Sequence, residues 1–367
     1  MIIEHISILH FKNIEQADLT FSSKMNCLLG NNGMGKTNLL DTLFYLSFCK
    51  SHTSLIDSQL IQHDEDFCVL QGNYLFEDNK TEEIYCGIKQ KHRKIFKCNK
   101  KEYDKLSEHI GLLPLVMISP TDSELIYGGS DERRKFVDMV ISQYDKSYLN
   151  ALIKYNKALT QRNSLLKSCV HQAPDKALFE IWEEQLVLNG ALIHEKRTLF
   201  VSEFLPVFKY FYQFICANGE VVDLTYQSQL DEDDFASSLA DKRERDKMLG
   251  YTSIGVHKDD FNFLLDAYLM RKIGSQGQSK TYLIALKLAQ FNFLVQTGAS
   301  TPILLLDDVF DKLDAERVEQ IVKLVTQEQF GQVFVTDTNR KYLDEILTKM
   351  NHNYKLFQVE NGNIREL

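Results

Sequence analysis

The chain has 367 residues with a formal net charge of −9 at pH 7, and 44% of its residues are hydrophobic. This length and composition exclude wholesale disorder and predict about two domains with sizeable apolar cores. No apolar run approaches the ~20 residues that a membrane span requires. The first residues lack the features of a secretion signal, and no two of the seven cysteines have the spacing of a zinc site. We therefore expect a cytoplasmic protein with reduced thiols.

The N-terminal part of the chain has the pattern of strands around a glycine-rich loop. Residues 2–21 alternate between apolar and polar, which predicts a hairpin. A short apolar run at 27–29 leads into glycines and then into a helical repeat of leucines from Leu39, so a strand, a loop and a helix are predicted in that order. Alternation returns over residues 67–101 and predicts an antiparallel sheet.

The central part of the chain changes to a helical pattern. Between residues 146 and 214, apolar residues recur at spacings of three and four, with a break at 174–175. This pattern predicts two long antiparallel helices. The mixed-charge segment 231–247 is predicted to be a connection, and strand patterns resume near Tyr251.

The strongest functional signal is a glycine-rich octapeptide that matches G-x-x-x-x-G-K-[ST]. It lies between a predicted strand and a predicted helix, the context in which such a loop surrounds nucleotide phosphates with backbone N–H groups. Its lysine would reach the β and γ oxygens, and its threonine would bind Mg²⁺. The octapeptide is Gly30-Asn31-Asn32-Gly33-Met34-Gly35-Lys36-Thr37.

A second functional signal is a pair of acids at the end of the apolar run 303–306. Asp307 would hold a magnesium-bound water, and Asp308 would orient or deprotonate the attacking water. The pair lies much farther from Lys36 along the chain than a compact nucleotide-binding core requires. The helical region is therefore predicted to be an insertion.

Weaker signals surround the second run. Ser275-Gln276-Gly277-Gln278 precedes a predicted helix, where its hydroxyl and N–H groups could face a phosphate. Asp314 follows the acidic pair, and Thr336 ends another apolar run. Each of these features, taken alone, is also compatible with an ordinary helix cap or loop.

Taken in order, these motifs resemble the ABC-type ATPase heads of chromosome-maintenance and repair proteins, and within that group the RecF family. The most family-specific elements are the His-Lys-Asp-Asp sequence at 257–260 and the Ser-Gln-Gly-Gln sequence at 275–278. The resemblance implies an α/β fold, an ABC-type ATPase head with a phosphate loop, mixed sheets and flanking helices, and an inserted α-helical arm domain. It assigns residues 1–125 to the N-terminal head, 126–249 to the arm, and 250–367 to the C-terminal head with its signature, Walker B and switch motifs.

The resemblance also implies a head that closes as an ATP-bound homodimer, with Ser275 facing the γ-phosphate held by the other subunit. Asp308 stands where transporters usually have glutamate, which fits slow turnover, and Thr336 is preferred over Asp337 as the switch residue. The implied catalytic residues are Lys36, Asp308 and Ser275, and the implied Mg²⁺ ligands are Thr37 and Asp307. The residues expected at the ATP are Gly30, Asn31, Asn32, Gly33, Met34, Gly35, Lys36, Thr37, Asn38, Gln278, Asp314 and Thr336.

For function, the resemblance implies a weak DNA-stimulated ATPase of recombinational repair and replication restart. Such a protein binds double-stranded or gapped DNA and, with RecR and RecO, promotes recombinase loading. The local feature that supports DNA contact is the basic stretch 89–105, interleaved with Phe96 and Tyr103. A solvated hairpin that protects a sheet edge is an equally good interpretation of the same stretch.

Two other functions remain as alternatives. A transporter-type ATPase subunit would usually have a glycine in place of a glutamine in the Ser275 motif, and it would lack the long helical insertion. The ATPase half of an overcoming-lysogenization-type nuclease would need a metal-dependent nuclease domain, and the stretch after Asp308 is expected to be too short for one.

Overall fold

A computed structural model describes residues 1–54, 56–168, 176–216, 219–231, 234–298, 300–310, 313–338 and 353–367. The predicted helix break at 174–175 therefore lies outside the described residues. Within the described part of the chain, no helix is both long enough and apolar enough to cross a bilayer.

Strands and helices alternate in blocks along the chain. The strands are β1 (Ile2–Phe11), β2 (Ile14–Thr20), β3 (Met25–Leu29), β4 (Phe67–Leu75), β5 (Thr81–Lys89), β6 (Ile95–Cys98), β7 (Lys101–Glu102), β8 (Leu115–Ile118), β9 (Val222–Gln227), β10 (Asp260–Leu265), β11 (Tyr268–Leu269), β12 (Ile303–Leu306), β13 (Val333–Asp337), β14 (Tyr354–Glu360) and β15 (Asn363–Glu366). The α-helices are α1 (Lys36–Phe48), α2 (Glu124–Tyr127), α3 (Ser130–Tyr144), α4 (Lys146–Ser168), α5 (Lys176–Ile215), α6 (Phe235–Leu249), α7 (Met270–Ile273), α8 (Gln276–Gln296) and α9 (Ala315–Val325).

The chain divides into two compact units. The first consists of Met1–Asp122, Phe214–Ala217 and Lys280–Leu367, and the second of Ser123–Gln213 and Asn218–Ser279. The second unit thus includes residues 250–279, which the family resemblance assigned to the ATPase head. The functional boundaries at 125 and 249 stay predictions.

A mostly parallel sheet forms the centre of the first unit, with the strand order β15-β14-β3-β13-β12-β8. The strands β3, β8, β12 and β13 are buried along their whole length, as parallel strands covered on both faces are. This burial explains their continuous apolar runs. Because β3, β12 and β13 are parallel, their carboxyl ends meet at one edge of the sheet.

The antiparallel sheet of the first unit has the order β2-β1-β4-β5-β6-β7 and confirms the predicted strand patterns at 2–21 and 67–101. The side chain of Gln332, the residue before β13, joins strand β1 of this antiparallel sheet to the parallel sheet. The Gln332 amide accepts from Ile3 N at 2.8 Å and donates to Ile3 O and Ser22 O at 2.8 and 2.7 Å. These buried bonds fix the N-terminal strand beside the sheet that carries the acidic pair.

The second unit contains the two predicted long helices, α4 and α5, together with a three-stranded sheet of β11-β10-β9. The predicted connection over 231–247 is wrong, because most of it forms the helix α6. Asp234 caps this helix by accepting from Ser237 N at 2.9 Å, and Gly250 ends it at φ 72°.

A buried ion pair adds to the reason that α6 forms. Asp246 on α6 binds the fully buried Arg162 of α4 at 2.7 Å, and Glu183 of α5 lies 3.0 Å from the same guanidinium. Two charged residues of the segment, Arg243 and Asp246, therefore have ion-pair partners inside the unit.

Candidate functional site

The phosphate loop lies between β3 and α1, as the sequence predicts. Two of its glycines have no possible substitute without a backbone shift. Gly35 has φ 113°, and a Cβ there would lie 2.8 Å from the amide of Asn13. A Cβ on Gly30 would overlap the carbonyl oxygen of Val359. A side chain at either position would therefore distort the loop.

Asn13 braces the loop from the β1–β2 turn. Its amide donates to Met34 O at 3.2 Å and accepts from Asn38 Nδ2 at 2.7 Å. Gly362 N also donates to Met34 O, at 2.8 Å. Asn13 is not among the site residues predicted from the sequence. The polar side chain in a tight turn between two predicted strands is the local signal that could have identified it.

Lys36 places its ammonium inside the loop. Its Nζ donates to Gly30 O at 2.7 Å and to Asn31 O at 3.2 Å, and the side chain is almost fully buried. A cation enclosed by backbone in this way supplies a fixed positive charge to an anion bound by the loop.

The Asp307 carboxylate brings three of the predicted motifs together. Thr37 Oγ1 donates to its Oδ2 and Thr336 Oγ1 donates to its Oδ1, each at 2.8 Å. Thr336 Oγ1 also accepts from Asp308 N at 2.9 Å. Burial raises the pKa of Asp307 above the usual aspartate value, and the two hydroxyl donors offset only part of that rise. The group is consequently a buried carboxylate that a cation would stabilise.

The donor set of this cluster fits Mg²⁺. Thr37 and Asp307 offer hydroxyl and carboxylate oxygens within one hydrogen bond of each other. Mg²⁺ prefers such hard oxygen ligands and is usually bound through one or two protein groups together with substrate phosphates. When bound, Mg²⁺ would neutralise phosphate charge, and Thr37 and Asp307 would hold it.

Comparisons with known proteins agree with this geometry. The family model described as RecF/RecN/SMC N terminal domain matches residues 2–365. The "DNA replication and repair protein RecF" of Azobacteroides pseudotrichonymphae genomovar. CFP2 is 63% identical, and that of Parabacteroides distasonis is 61% identical; each match covers 100% of both chains. The chain belongs to the RecF family.

Solved structures support the family assignment. A structure of the recombination mediator protein RecF with ATP in the RecFOR pathway is 28% identical with a TM-score of 0.88, and the match covers 100% of this chain and 99% of that one. The Smc head domain from Pyrococcus furiosus is 17% identical with a TM-score of 0.57, covering 100% and 95%, and shows likeness of fold alone. The ABC-type, SMC-like ATPase head predicted from the sequence is thus confirmed. These comparisons favour the RecF-like function over the transporter-type subunit and the nuclease-associated ATPase.

The signature residues of this RecF-family chain form a capping box at the start of α8. Ser275 Oγ accepts from Gln278 N at 3.2 Å, and Gln278 Oε1 accepts from Ser275 N at 2.8 Å. The same glutamine donates to Glu220 Oε1 at 2.7 Å, and Ser275 is exposed. Asp314 likewise caps α9 by accepting from Arg317 N at 2.9 Å. Both residues have a local structural role, and their roles towards a second subunit stay predictions.

The basic stretch of the RecF-family chain does not form one uniform surface. Lys94 is held by Cys49 O at 2.6 Å and by Asp57 at 2.9 Å. Phe96 is buried and is therefore unavailable for base stacking, whereas Tyr103 is half-buried with its hydroxyl 3.1 Å from Nδ1 of His109.

Basic side chains from the start of the stretch line a cavity of about 470 Å³. Asp57 contributes a carboxylate to its wall and is paired with Lys94. The basic residues that line it are Lys50, Lys89, Lys91, His92 and Lys94.

Proposed function

We propose that this RecF-family chain is an ATP-gated DNA-binding protein of recombinational repair and replication restart. ATP and Mg²⁺ close two copies into a dimer, the dimer holds double-stranded or gapped DNA, and slow hydrolysis resets it. The observation that carries the proposal is the hydrogen-bonded cluster at Asp307, which joins the phosphate loop through Thr37 to the switch residue Thr336.

Each residue of the cluster has a chemical task in this proposal. Lys36 and the backbone N–H groups of the loop bind the phosphates, and Thr37 and Asp307 hold Mg²⁺. Asp308 follows Asp307 directly, with its N–H fixed by Thr336, and acts on the attacking water as base or orienting group. An aspartate reaches less far than a glutamate, so we expect weak ATPase activity.

The exposed face of Ser275 supports the dimer. Its hydroxyl oxygen accepts the Gln278 N–H within the capping box, which leaves the hydroxyl proton available to a ligand oxygen. The N-terminal end of α8 adds a helix dipole that is favourable for an anion. A phosphate bound to another subunit could therefore complete its coordination here.

The test is sedimentation of the purified chain with ATP and Mg²⁺, with ADP, and with neither. We expect a dimer only with ATP. Lys36→Ala should abolish ATP binding, whereas Ser275→Arg should leave monomer ATP binding intact and block the dimer. A chain that stays monomeric at saturating ATP and Mg²⁺, even with gapped duplex present, would overturn the proposal.

The cavity at the start of the basic stretch supports contact with DNA. Lys89, Lys91 and His92 are exposed and, within the described part of the chain, their side chains form no hydrogen bond or ion pair. The single carboxylate in the lining, Asp57, is already paired with Lys94. This local excess of positive charge in an acidic protein suits the phosphates of a duplex backbone.

Charge reversal tests this surface. Lys89→Glu with Lys91→Glu should weaken affinity for duplex DNA and reduce the salt slope by about one for each phosphate that the variant no longer neutralises. Lys100→Glu with Lys101→Glu makes the same charge change at the opposite end of β6 and should have the smaller effect. Equal losses of affinity for both pairs, or no loss for either, would remove the cavity as the DNA contact.

We also propose RecR and RecO as partners, a cytoplasmic location, and a role in recombinase loading. The support is the family assignment, together with the RecFOR pathway in which the solved RecF structures are described. Co-sedimentation of the ATP-bound chain with purified RecR, with and without gapped duplex, tests the partnership. No co-sedimentation under either condition would contradict it.

A further inference from the structure

The peptide that presents the Asp308 carboxylate has an unusual conformation. Asp308 has φ 47°, in the left-handed region that residues other than glycine rarely adopt. Its carboxylate belongs to the turn directly after β12 and is half-buried. Such a conformation persists when the surroundings fix it, and it often occurs where a side chain must be aimed at a reacting group.

Two side chains form hydrogen bonds with the backbone of Asp308, one with its N–H and one with its carbonyl oxygen. Its N–H donates to Thr336 Oγ1 at 2.9 Å, and its carbonyl oxygen accepts from Lys280 Nζ at 3.4 Å. Thr336 comes from the end of β13 and Lys280 from the second turn of α8, so the two contacts originate on different elements. The second contact was not predicted from the sequence.

We propose that Lys280 is a positioning residue for ATP hydrolysis, which acts by fixing the Asp308 peptide in its left-handed conformation. The inference rests on the proposed function, because it assumes that Asp308 acts on the attacking water. The proposal gives Lys280 no role in nucleotide binding or in dimer formation. Its replacement should therefore affect turnover and leave the earlier steps unchanged.

The test compares ATP hydrolysis by Lys280→Met, Lys280→Arg and the unmodified chain. Methionine keeps the length of the side chain and removes its charge, so kcat should fall by about tenfold, a small part of what a well-placed general base contributes. KM for ATP and the ATP-driven dimer should not change. Lys280→Arg should retain most of the activity, and Lys272→Met, an exposed lysine of α7, is the matched control and should hydrolyse ATP normally.

A double-mutant cycle with Asp308→Asn separates positioning from a merely structural role. If Lys280 acts through Asp308, Lys280→Met should produce no further loss of kcat in the Asp308→Asn background. An unchanged kcat for Lys280→Met, an additive loss in the cycle, or a parallel loss of dimer and melting temperature would each overturn the inference. Failure of the unmodified chain to dimerise with ATP would instead contradict the proposed function.

Discussion

Replacement of Thr336 by valine perturbs the hydrogen-bonded cluster at its centre. The two side chains have nearly the same shape, so the change removes a hydroxyl without opening a cavity. Asp307 loses one of its two hydroxyl donors, and the backbone N–H of Asp308 loses its acceptor. Thr336 and Asp307 are 1% and 3% exposed, so water cannot readily replace these bonds.

The size of the effect follows from this burial. A buried polar group left without a partner costs about 1–3 kcal/mol. Two such groups are affected, the Asp307 oxygen and the Asp308 N–H. We therefore expect Thr336→Val to lower the free energy of unfolding of the first unit by about 3 kcal/mol. For a unit of this size, such a decrease lowers the melting temperature by roughly 6–12 °C.

Thermal melting and single-turnover ATP hydrolysis measure the two consequences. Thr336→Val should melt earlier and hydrolyse ATP more slowly, because Asp308 is held less firmly. Thr326→Val is the control, since its hydroxyl donates to two carbonyls of its own helix end, at 2.8 and 3.3 Å, outside the Asp307 cluster. If Thr336→Val melts with the unmodified chain and turns over ATP at the same rate, the proposed role of the cluster is wrong.

Three further predictions concern the loop and the second unit. Gly35→Ala should abolish ATP binding in a fluorescence titration, because its φ of 113° and the nearby Asn13 amide exclude a side chain. Asn13→Ala should weaken ATP binding in the same titration without unfolding the chain, since it removes one of the supports of the loop. Burial lowers the pKa of His257 to about 4, and its ring nitrogens Nδ1 and Nε2 are hydrogen-bonded to Tyr155 and to Thr252 O. On acidification the unfolded chain therefore takes up this proton before the folded chain does. The contribution of His257 to the free energy of unfolding should be complete above about pH 6.5 and should fall by about 3 kcal/mol as the pH approaches 4. His257→Gln should remove this dependence in melting curves recorded against pH.

Parts of the site are predictable because they follow from local sequence rules. The phosphate loop combines a glycine pattern with a preceding apolar strand and a following helix, and this context specifies both conformation and ligand. The meeting of Asp307 with Thr336 follows from their places at the carboxyl ends of two apolar runs, which become parallel neighbours. Long-range pairing supplies the rest of the geometry.

Other features depend on partners that are distant in the chain. Helix α6 has a poor apolar pattern, and its stability comes from its caps and from Arg162, which no local rule connects to Asp246. In the sequence, Lys94 resembles the other surface lysines of the stretch. In the fold it contacts Cys49 and Asp57, which are distant in the chain. For the same reason, the sequence predicted a broad basic stretch where the fold gathers only some of its cations into a cavity.

The sharing of one ATP site between two subunits is tested most directly by mixing two inactive variants. Lys36→Ala removes the nucleotide-binding lysine and Ser275→Arg removes the opposing serine, so neither variant alone can assemble a complete site. A mixed dimer would contain one intact site, formed by Lys36 of one subunit and Ser275 of the other. We predict ATP hydrolysis and ATP-dependent dimers in the mixture and in neither variant alone. Activity of the mixture no greater than the mean of its components would contradict the shared site.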